Sequence, residues 1–200
     1  MHFLDPIFLV QTLGLFGVVG IIFAESGLFF GFFLPGDSLL FTAGLLASQG
    51  YLNFWILLVG SLLAAVTGDS VGYGFGFHAG QKFFTREESL FFKKSYLERT
   101  KVFYERHGKK TIILARFIPI VRTFAPILAG IGAMKYKTFL LYNIVGGTLW
   151  SVSLVLLGFG LGRTVPNIDH YIIPIILLII VLSMIPNAVE FFKSRKNSTH

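Results

Sequence analysis

Apolar residues run along most of this chain in long blocks, and polar residues gather between the blocks. The apolar blocks are 7–34, 38–47, 54–79, 111–134, 139–161 and 171–192. A helix needs about 20 residues to cross a bilayer. The blocks 54–79, 139–161 and 171–192 reach that length, and the front of 7–34 gives a fourth predicted span.

Two apolar segments are interrupted and are predicted to enter the membrane and return. The segment 23–47 is broken at Pro35, and the segment 111–134 is broken at Pro119 and Pro126. Roughly ten apolar residues flank each interruption, which is the length of a re-entrant half-helix rather than of a crossing. Backbone broken at membrane depth is tolerated only where protein or a wet cavity surrounds it. The predicted fold is therefore an all-α polytopic helical bundle with two re-entrant hairpins.

Basic residues are concentrated in one loop and in the tail. Residues 1–81 contain no Lys or Arg, whereas 82–110 carry nine, and the tail 193–200 adds three. Short cytoplasmic loops carry such an excess, so both basic segments are predicted to be cytoplasmic. The two hairpins are then entered from opposite faces, as in an inverted repeat. In transporters of this architecture the site lies between broken helices near the midplane.

Composition narrows the class of protein further. Of the 200 residues, 54% are hydrophobic and 14% are charged, against about 25% charged in ordinary globular domains. We interpret the chain 1–200 as one membrane domain whose loop 82–110 forms a basic amphipathic helix on anionic headgroups. The net charge of +7 then reflects topology rather than nucleic-acid binding. Cysteine is absent and the histidines lack ligand spacing, so no metal and no cofactor are predicted.

Four ionisable residues lie inside the interrupted segments: Glu25, Asp37, Arg116 and Arg122. A charge at the centre of a lipid-facing helix costs about 2.5–3.5 kcal/mol, so the four are expected to face inward. Guanidinium forks match phosphate oxygens, which predicts that Arg116 and Arg122 bind a phosphate headgroup. A low dielectric favours the neutral carboxyl, so Glu25 and Asp37 are predicted to couple transport to protons or to act as temporary counter-ions. The alternative is a pair of static ion pairs that lock the hairpins together.

Asp69 is a further acidic residue in an apolar block, and it is predicted to join the proton-coupling group. Capping a half-helix and pairing with an arginine are the alternatives for this side chain. Around it, small residues recur at every fourth position and predict close helix packing. They are Gly60, Ala64, Gly68, Gly72, Gly76 and Gly80.

The aromatic residues Tyr73, Tyr142, Trp55 and Trp150 are predicted to be interfacial or packing residues rather than a ligand cage. No nucleophile–base pair and no set of metal ligands is recognisable in the sequence. The chain is therefore not expected to be an enzyme.

Several short motifs follow one another in order between Val18 and Gly162. They are Glu25-Ser26-Gly27, Pro35-Gly36-Asp37, Gly68-Asp69-x-x-Gly72-Tyr73, Arg116-Phe117-Ile118-Pro119-x-x-Arg122, then Ala129-Gly130, Met134, Phe139, Asn143, Gly146 and Trp150. This ordered set resembles the DedA family, whose members share the VTT (SNARE-associated) domain. The resemblance implies a bacterial inner-membrane protein that returns phospholipid-type carriers, including undecaprenyl phosphate, across the bilayer. It further implies that this transport depends on the proton motive force. It also implies that the family's essential charged residues fall on Glu25, Asp37, Arg116 and Arg122.

The leading hypothesis is a multi-pass transporter or flippase of phosphate-bearing lipids in the bacterial inner membrane. Its partners are membrane lipids with phosphate headgroups and protons, and a homo-oligomer is compatible with this interpretation. One alternative is a proton-coupled exporter of small cations or drugs, in which the carboxylates bind the substrate. Another is a structural membrane-homeostasis factor without a transported ligand. A lipid-phosphate carrier needs both arginines for substrate binding, whereas a cation exporter needs the acids first.

Overall fold

The computed structural model describes residues 6–28, 31, 34–84 and 110–164, and its regular structure in these ranges is helical throughout. The helices are α1 Pro6–Gly27, α2 Gly36–Ser48, α3 Phe54–Phe84, α4 Lys110–Ala115, α5 Pro119–Ile131 and α6 Tyr136–Thr164. For this part of the chain, the predicted all-α class is confirmed. The predicted span 171–192, the basic tail 193–200 and nearly all of the basic loop 82–110 lie outside the described residues.

Among the described residues, two helices are long and apolar enough to cross a membrane. They are Phe54–His78 within α3, with 25 residues, and α6, with 29 residues. Both coincide with predicted spans. The span predicted at the front of 7–34 is instead interrupted at Gly14, whose φ of 61° and ψ of −159° are not helical. That conformation is essentially restricted to glycine, so the sequence permits a kink here that a hydropathy pattern does not reveal.

The interruptions predicted at Pro35 and Pro119 are both present. Pro35 immediately precedes α2, and its carbonyl accepts the N–H of Leu39 at 2.8 Å. Pro119 is the first residue of α5, where the missing N–H costs no helical hydrogen bond. The second break predicted at Pro126 is wrong, because Pro126 lies inside α5 and the helix continues through it. Packing of α5 along α3, with Pro126 beside Gly72, offsets the lost hydrogen bond.

The row of small residues on α3 allows two helices to approach its backbone. A Cβ added to Gly27 of α1 would lie 2.9 Å from the carbonyl oxygen of Gly68. One turn beyond Gly72, the carbonyl of Ile127 in α5 occupies the space that a side chain on Gly76 would need. The predicted close packing is confirmed. It brings the end of α1 and the body of α5 against the same helix.

Helix α2 is buried along almost its whole length, chiefly against α6 and α1. Its 13 residues span about 20 Å, less than the hydrocarbon core of about 30 Å. Leu39, Leu40 and Ala43 join Trp150 and Val155 of α6 in the apolar core. A short helix enclosed by others can therefore begin at Pro35 without exposing its broken backbone to lipid.

The outward faces of α3 and α6 are apolar. Exposed side chains on these two helices include Trp55, Leu63, Phe75, Leu141 and Leu157. A soluble domain rarely exposes so continuous an apolar surface, whereas a bilayer solvates it. Asp69 of α3 and Asn143 of α6, by contrast, are buried among the helices.

Candidate functional site

The five predicted site residues lie at or beside the two breaks. Glu25 is in the last turn of α1 and Asp37 in the first turn of α2, so they flank the first break. Arg116 lies in the turn between α4 and α5, and Arg122 is in the first turn of α5. Asp69 is inside α3, beside the second break. All are buried except Asp37, whose side chain is 20% exposed.

Arg122 connects the two sides of the first break. Its Nη1 donates to Oδ1 of Asp37 at 2.7 Å, and its Nη2 donates to Oε1 of Glu25. The backbone of Gly36 lies directly against the Glu25 carboxylate, where any other residue would place a Cβ. Local chemistry thus explains the order of the motif: Pro35 starts the helix, Gly36 makes room for one carboxylate, and Asp37 supplies another.

Arg116 is held by the two long helices. Its Nη2 donates to Oδ2 of Asp69 in α3 and to Oδ1 of Asn143 in α6, the latter at 2.6 Å. The Asn143 amide is fixed in turn, because its Nδ2 donates to the carbonyl of Val66 at 3.0 Å. A Cβ on Gly147 would lie 3.3 Å from Nη1 of Arg116, so this glycine leaves room for the guanidinium. Of the interpretations considered for Asp69, the structure bears out pairing with an arginine.

Trp150 lies close to both arginines, and packing alone does not describe its role. It does pack in the apolar core, as predicted, but its Nε1 also donates to Oδ1 of Asp37 at 2.8 Å. Its ring centroid lies 4.7 Å from Cζ of Arg122 and 5.9 Å from Cζ of Arg116. These are cation–π distances.

The pattern that could have revealed Trp150 and Asn143 is their spacing. They are seven residues apart and share one helix face, with Gly146 and Gly147 on the turn between them. Among the other aromatics, Tyr73 packs as predicted. Tyr73 is buried and stacks on Phe139, with 4.7 Å between ring centroids.

The cluster contains more acidic than basic groups. Glu25, Asp37 and Asp69 face Arg116 and Arg122, so full ionisation leaves one negative charge in excess. In the ranges that the structure describes, no group of three potential metal ligands is arranged to bind an ion. An uncompensated buried charge is costly, so the excess requires a proton or a bound partner.

Several polar atoms of the cluster are buried without a hydrogen-bond partner among the described residues. They are Glu25 Oε2, Asp69 Oδ1, Arg116 Nη1 and Arg122 Nε. A narrow crevice beside them is lined by Asp69, both arginines and apolar residues of α4 and α5. Unpaired buried polar groups are rare in folded proteins, and they call for water or a ligand.

Comparison with known proteins gives consistent matches. Residues 34–160 match the VTT domain. The chain is 46% identical to Protein DedA of Escherichia coli (strain K12) over 178 residues, which is 88% of this chain and 81% of that protein. It is 43% identical over 189 residues to an uncharacterized membrane protein of Mycobacterium leprae, covering 92% and 84% of the two chains.

A more distant relative is the inner membrane protein YqjA of Escherichia coli (strain K12). The identity is 33% over 144 residues, which is 72% of this chain and 66% of YqjA. No solved structure matches the chain significantly. The VTT match extends from the residue before Pro35 into the last turns of α6, and so includes Asp37, Asp69, both arginines and Trp150.

Proposed function

The chain belongs to the DedA family of VTT-domain membrane proteins, and from this premise we propose that it moves phosphate-bearing lipids across the bacterial inner membrane. The substrate class is undecaprenyl phosphate or a phospholipid, and movement is coupled to protons. The observation that carries the proposal is the buried guanidinium of Arg122, whose two terminal nitrogens donate to two different carboxylates. Phosphate oxygens accept the same hydrogen bonds, so a headgroup can replace the carboxylates on one fork.

Proton coupling follows from the charge of the cluster. A phosphate monoester adds one to two negative charges to a site that already carries one in excess. Glu25 and Asp37 lose their guanidinium partner when phosphate takes Arg122. A carboxylate left without a counter-ion in a low-dielectric site is more stable when protonated. Asp69 likewise loses its counter-ion, and is more stable when protonated, if phosphate binds Arg116. Phosphate entry and proton uptake therefore accompany each other.

We further propose that the α1–α2 and α4–α5 segments are re-entrant hairpins of an inverted repeat. Two features support this: α2 and α5 each have only 13 residues, and the basic loop separates the two halves. A reporter fused after Lys110 or Lys196 is expected to be cytoplasmic, and one inserted at Gly50 external. Protease protection in oriented vesicles measures both. Placement of positions 50 and 110 on the same side would refute the arrangement.

Lipid retention tests the function directly. Gently extracted protein analysed by native mass spectrometry is expected to carry a phosphate-bearing lipid, and Arg122→Gln is expected to lose it. Arg163→Gln is the matched control, because Arg163 is an exposed arginine near the end of α6 that contacts Phe159 rather than the cluster. Equal lipid retention by Arg122→Gln and Arg163→Gln would reject phosphate binding at Arg122.

The excess negative charge favours one second candidate, a proton-coupled exporter of small cations or drugs. In that case the carboxylates bind the substrate, and Asp37→Asn abolishes substrate binding while Arg122→Lys retains it. The lipid carrier predicts that Arg122→Lys is impaired as well. Binding measurements on this pair of variants separate the two functions. Protein in liposomes that moves neither lipid phosphate nor cations would indicate a structural factor without cargo.

A further inference from the structure

Arg122 reaches across a gap in the helix packing. Its helix α5 packs on α3 and makes smaller contacts with α4 and α1, while α2 packs mainly on α6 and α1. No comparable contact joins α5 to α2 or to α6 in the described ranges. Arg122 nevertheless contacts Asp37 at the start of α2 and Trp150 in α6. Side chains therefore provide the connection between α5 and the α2–α6 pair that helix packing does not.

Trp150 closes this connection into a triangle. Oδ1 of Asp37 accepts one hydrogen bond from Nη1 of Arg122 at 2.7 Å and another from Nε1 of Trp150 at 2.8 Å. The guanidinium of Arg122 lies 4.7 Å from the ring centroid. Each of the three side chains thus contacts the other two. The indole is only 3% exposed, and a buried indole N–H needs an acceptor, which here is Asp37.

Both contacts of Trp150 depend on the state of its neighbours. The hydrogen bond is charge-assisted only while Asp37 is ionised. The cation–π contact persists only while Arg122 stays against the ring. Proton uptake by Asp37 weakens the first contact, and phosphate binding to Arg122 competes with the second. Trp150 itself carries no charge and exchanges no proton, so it responds to both events without taking part in either.

We propose that Trp150 is the positioning residue of the site and that it holds Asp37 against Arg122 in the arrangement described here. When Trp150 loses its contacts with these two residues, α5 separates from the α2–α6 pair and a phosphate headgroup can enter. The inference rests on the proposed function and specifies how the same site is opened. Among the described residues, the charged groups that face Asp37 are Arg122 from α5 and Glu25 from α1, and the uncharged Trp150 faces it from α6.

The fluorescence of Trp150 provides the first test. The chain has two tryptophans, and Trp55 is 70% exposed and outside the cluster, so Trp55→Phe isolates the emission of Trp150. The probe is dodecyl phosphate in nonionic detergent, with dodecanol as the uncharged control. We expect a saturable change in emission with dodecyl phosphate and none with dodecanol. Acidification alone should change the emission in Trp55→Phe, but not when Asp37→Asn is added.

The outcomes separate the two proposals. If dodecyl phosphate binds by equilibrium dialysis and the emission stays constant, the positioning role is refuted while the proposed function stands. If dodecyl phosphate does not bind, the proposed function fails. The emission change on acidification then still tests the contact between Trp150 and Asp37. If that change persists in Asp37→Asn, the emission of Trp150 does not depend on the Asp37 carboxyl and the positioning role is refuted.

The pH profile of lipid transport in liposomes provides a second test. Trp150→Phe keeps a ring beside Arg122 but removes the hydrogen bond that Nε1 donates to Asp37. The midpoint of transport is therefore expected to shift relative to the unchanged protein. Phe139→Leu is the matched control, since Phe139 is a buried aromatic of α6 that packs on Tyr73. It should lower thermal stability without moving the midpoint. Equal midpoints for Trp150→Phe, Phe139→Leu and the unchanged protein would refute the proposal.

Discussion

The two buried arginines both lie within cation–π distance of the Trp150 ring, but their surroundings differ. Arg116 meets one carboxylate, Asp69, and the neutral amide of Asn143, and both partners belong to the long helices α3 and α6. Arg122 meets two carboxylates, which lie on opposite sides of the α1–α2 break. The charge of Arg116 is therefore balanced by one carboxylate of a long helix. The charge of Arg122 is exceeded by two carboxylates that lie where the chain is interrupted.

This difference indicates that the two arginines have different roles. The Arg116 pair is balanced, so it can remain intact while the protein changes state. The Arg122 group carries the excess negative charge and joins α5 to α2, two helices that have no extensive packing in the described ranges. Under the proposed function, exchange of a carboxylate for a phosphate is therefore easier to accommodate at Arg122. The following experiments examine this asymmetry.

Removal of a guanidinium should have the largest effect. Arg122→Gln leaves both Glu25 and Asp37 without a cation, whereas Arg116→Gln leaves only Asp69. Loss of one partner of a buried pair costs about 3–5 kcal/mol, and Arg122→Gln is expected at the upper end of that range. Adding Glu25→Gln to Arg122→Gln should restore part of the stability while transport stays lost. Thermal unfolding in detergent measures the difference.

Double-mutant cycles sharpen this test. Coupling is expected between Arg122 and Glu25 or Asp37, and between Arg116 and Asp69, because these pairs are in contact. Cycles that combine Arg116 with Glu25 or Asp37 should be closer to additive. If the Glu25–Arg122 and Asp37–Arg122 cycles are strictly additive, the acidic and basic segments do not share one site.

Replacement of each arginine by lysine should have the next largest effect. Arg122→Lys preserves the charge but cannot direct two fork nitrogens at two separate carboxylates or at two phosphate oxygens. Transport is expected to fall roughly tenfold, which corresponds to about 1.4 kcal/mol, and Arg116→Lys should lose less. Initial rates in liposomes provide the comparison. Wild-type rates for both variants would mean that a positive charge without the fork is sufficient.

The smallest effects should come from the glycine beside each guanidinium site. Gly36→Ala places a Cβ where the Glu25 carboxylate lies, so it should displace a partner of Arg122. Gly147→Ala places a Cβ 3.3 Å from Nη1 of Arg116, which must shift by a few tenths of an ångström. We expect a loss of stability of about 1 kcal/mol for Gly36→Ala, because the atoms that must move are the end of the Glu25 side chain, and less for Gly147→Ala. Gly160→Ala is the control, because no atom lies within 4 Å of its added Cβ. Equal stabilities for all three variants would contradict the close contacts at both sites.

Features that depend on neighbouring residues were predictable from the sequence. The breaks at Pro35 and Pro119 follow from the missing N–H of proline, and the spans of α3 and α6 follow from the thickness of the bilayer. The inward location of the charged side chains follows from the cost of charge in lipid. Predictions from neighbouring residues were wrong at Gly14, where a predicted span is interrupted, and at Pro126, where a predicted break is absent. A glycine permits a kink without requiring one, and packing against α3 keeps α5 helical through a proline.

The sequence by itself thus determined the helical class, the two main interruptions and the set of ionisable residues that had to meet away from lipid. Only the tertiary structure decided which of them meet. Arg122 pairs with Glu25, 97 residues away, and Asp37 accepts from Trp150, 113 residues away. Such distant partners are selected by how closely the helices approach at glycine contacts, such as Gly27 against Gly68. No periodicity along the chain encodes that choice, because side chains so far apart in sequence become neighbours only when the backbones between them are packed.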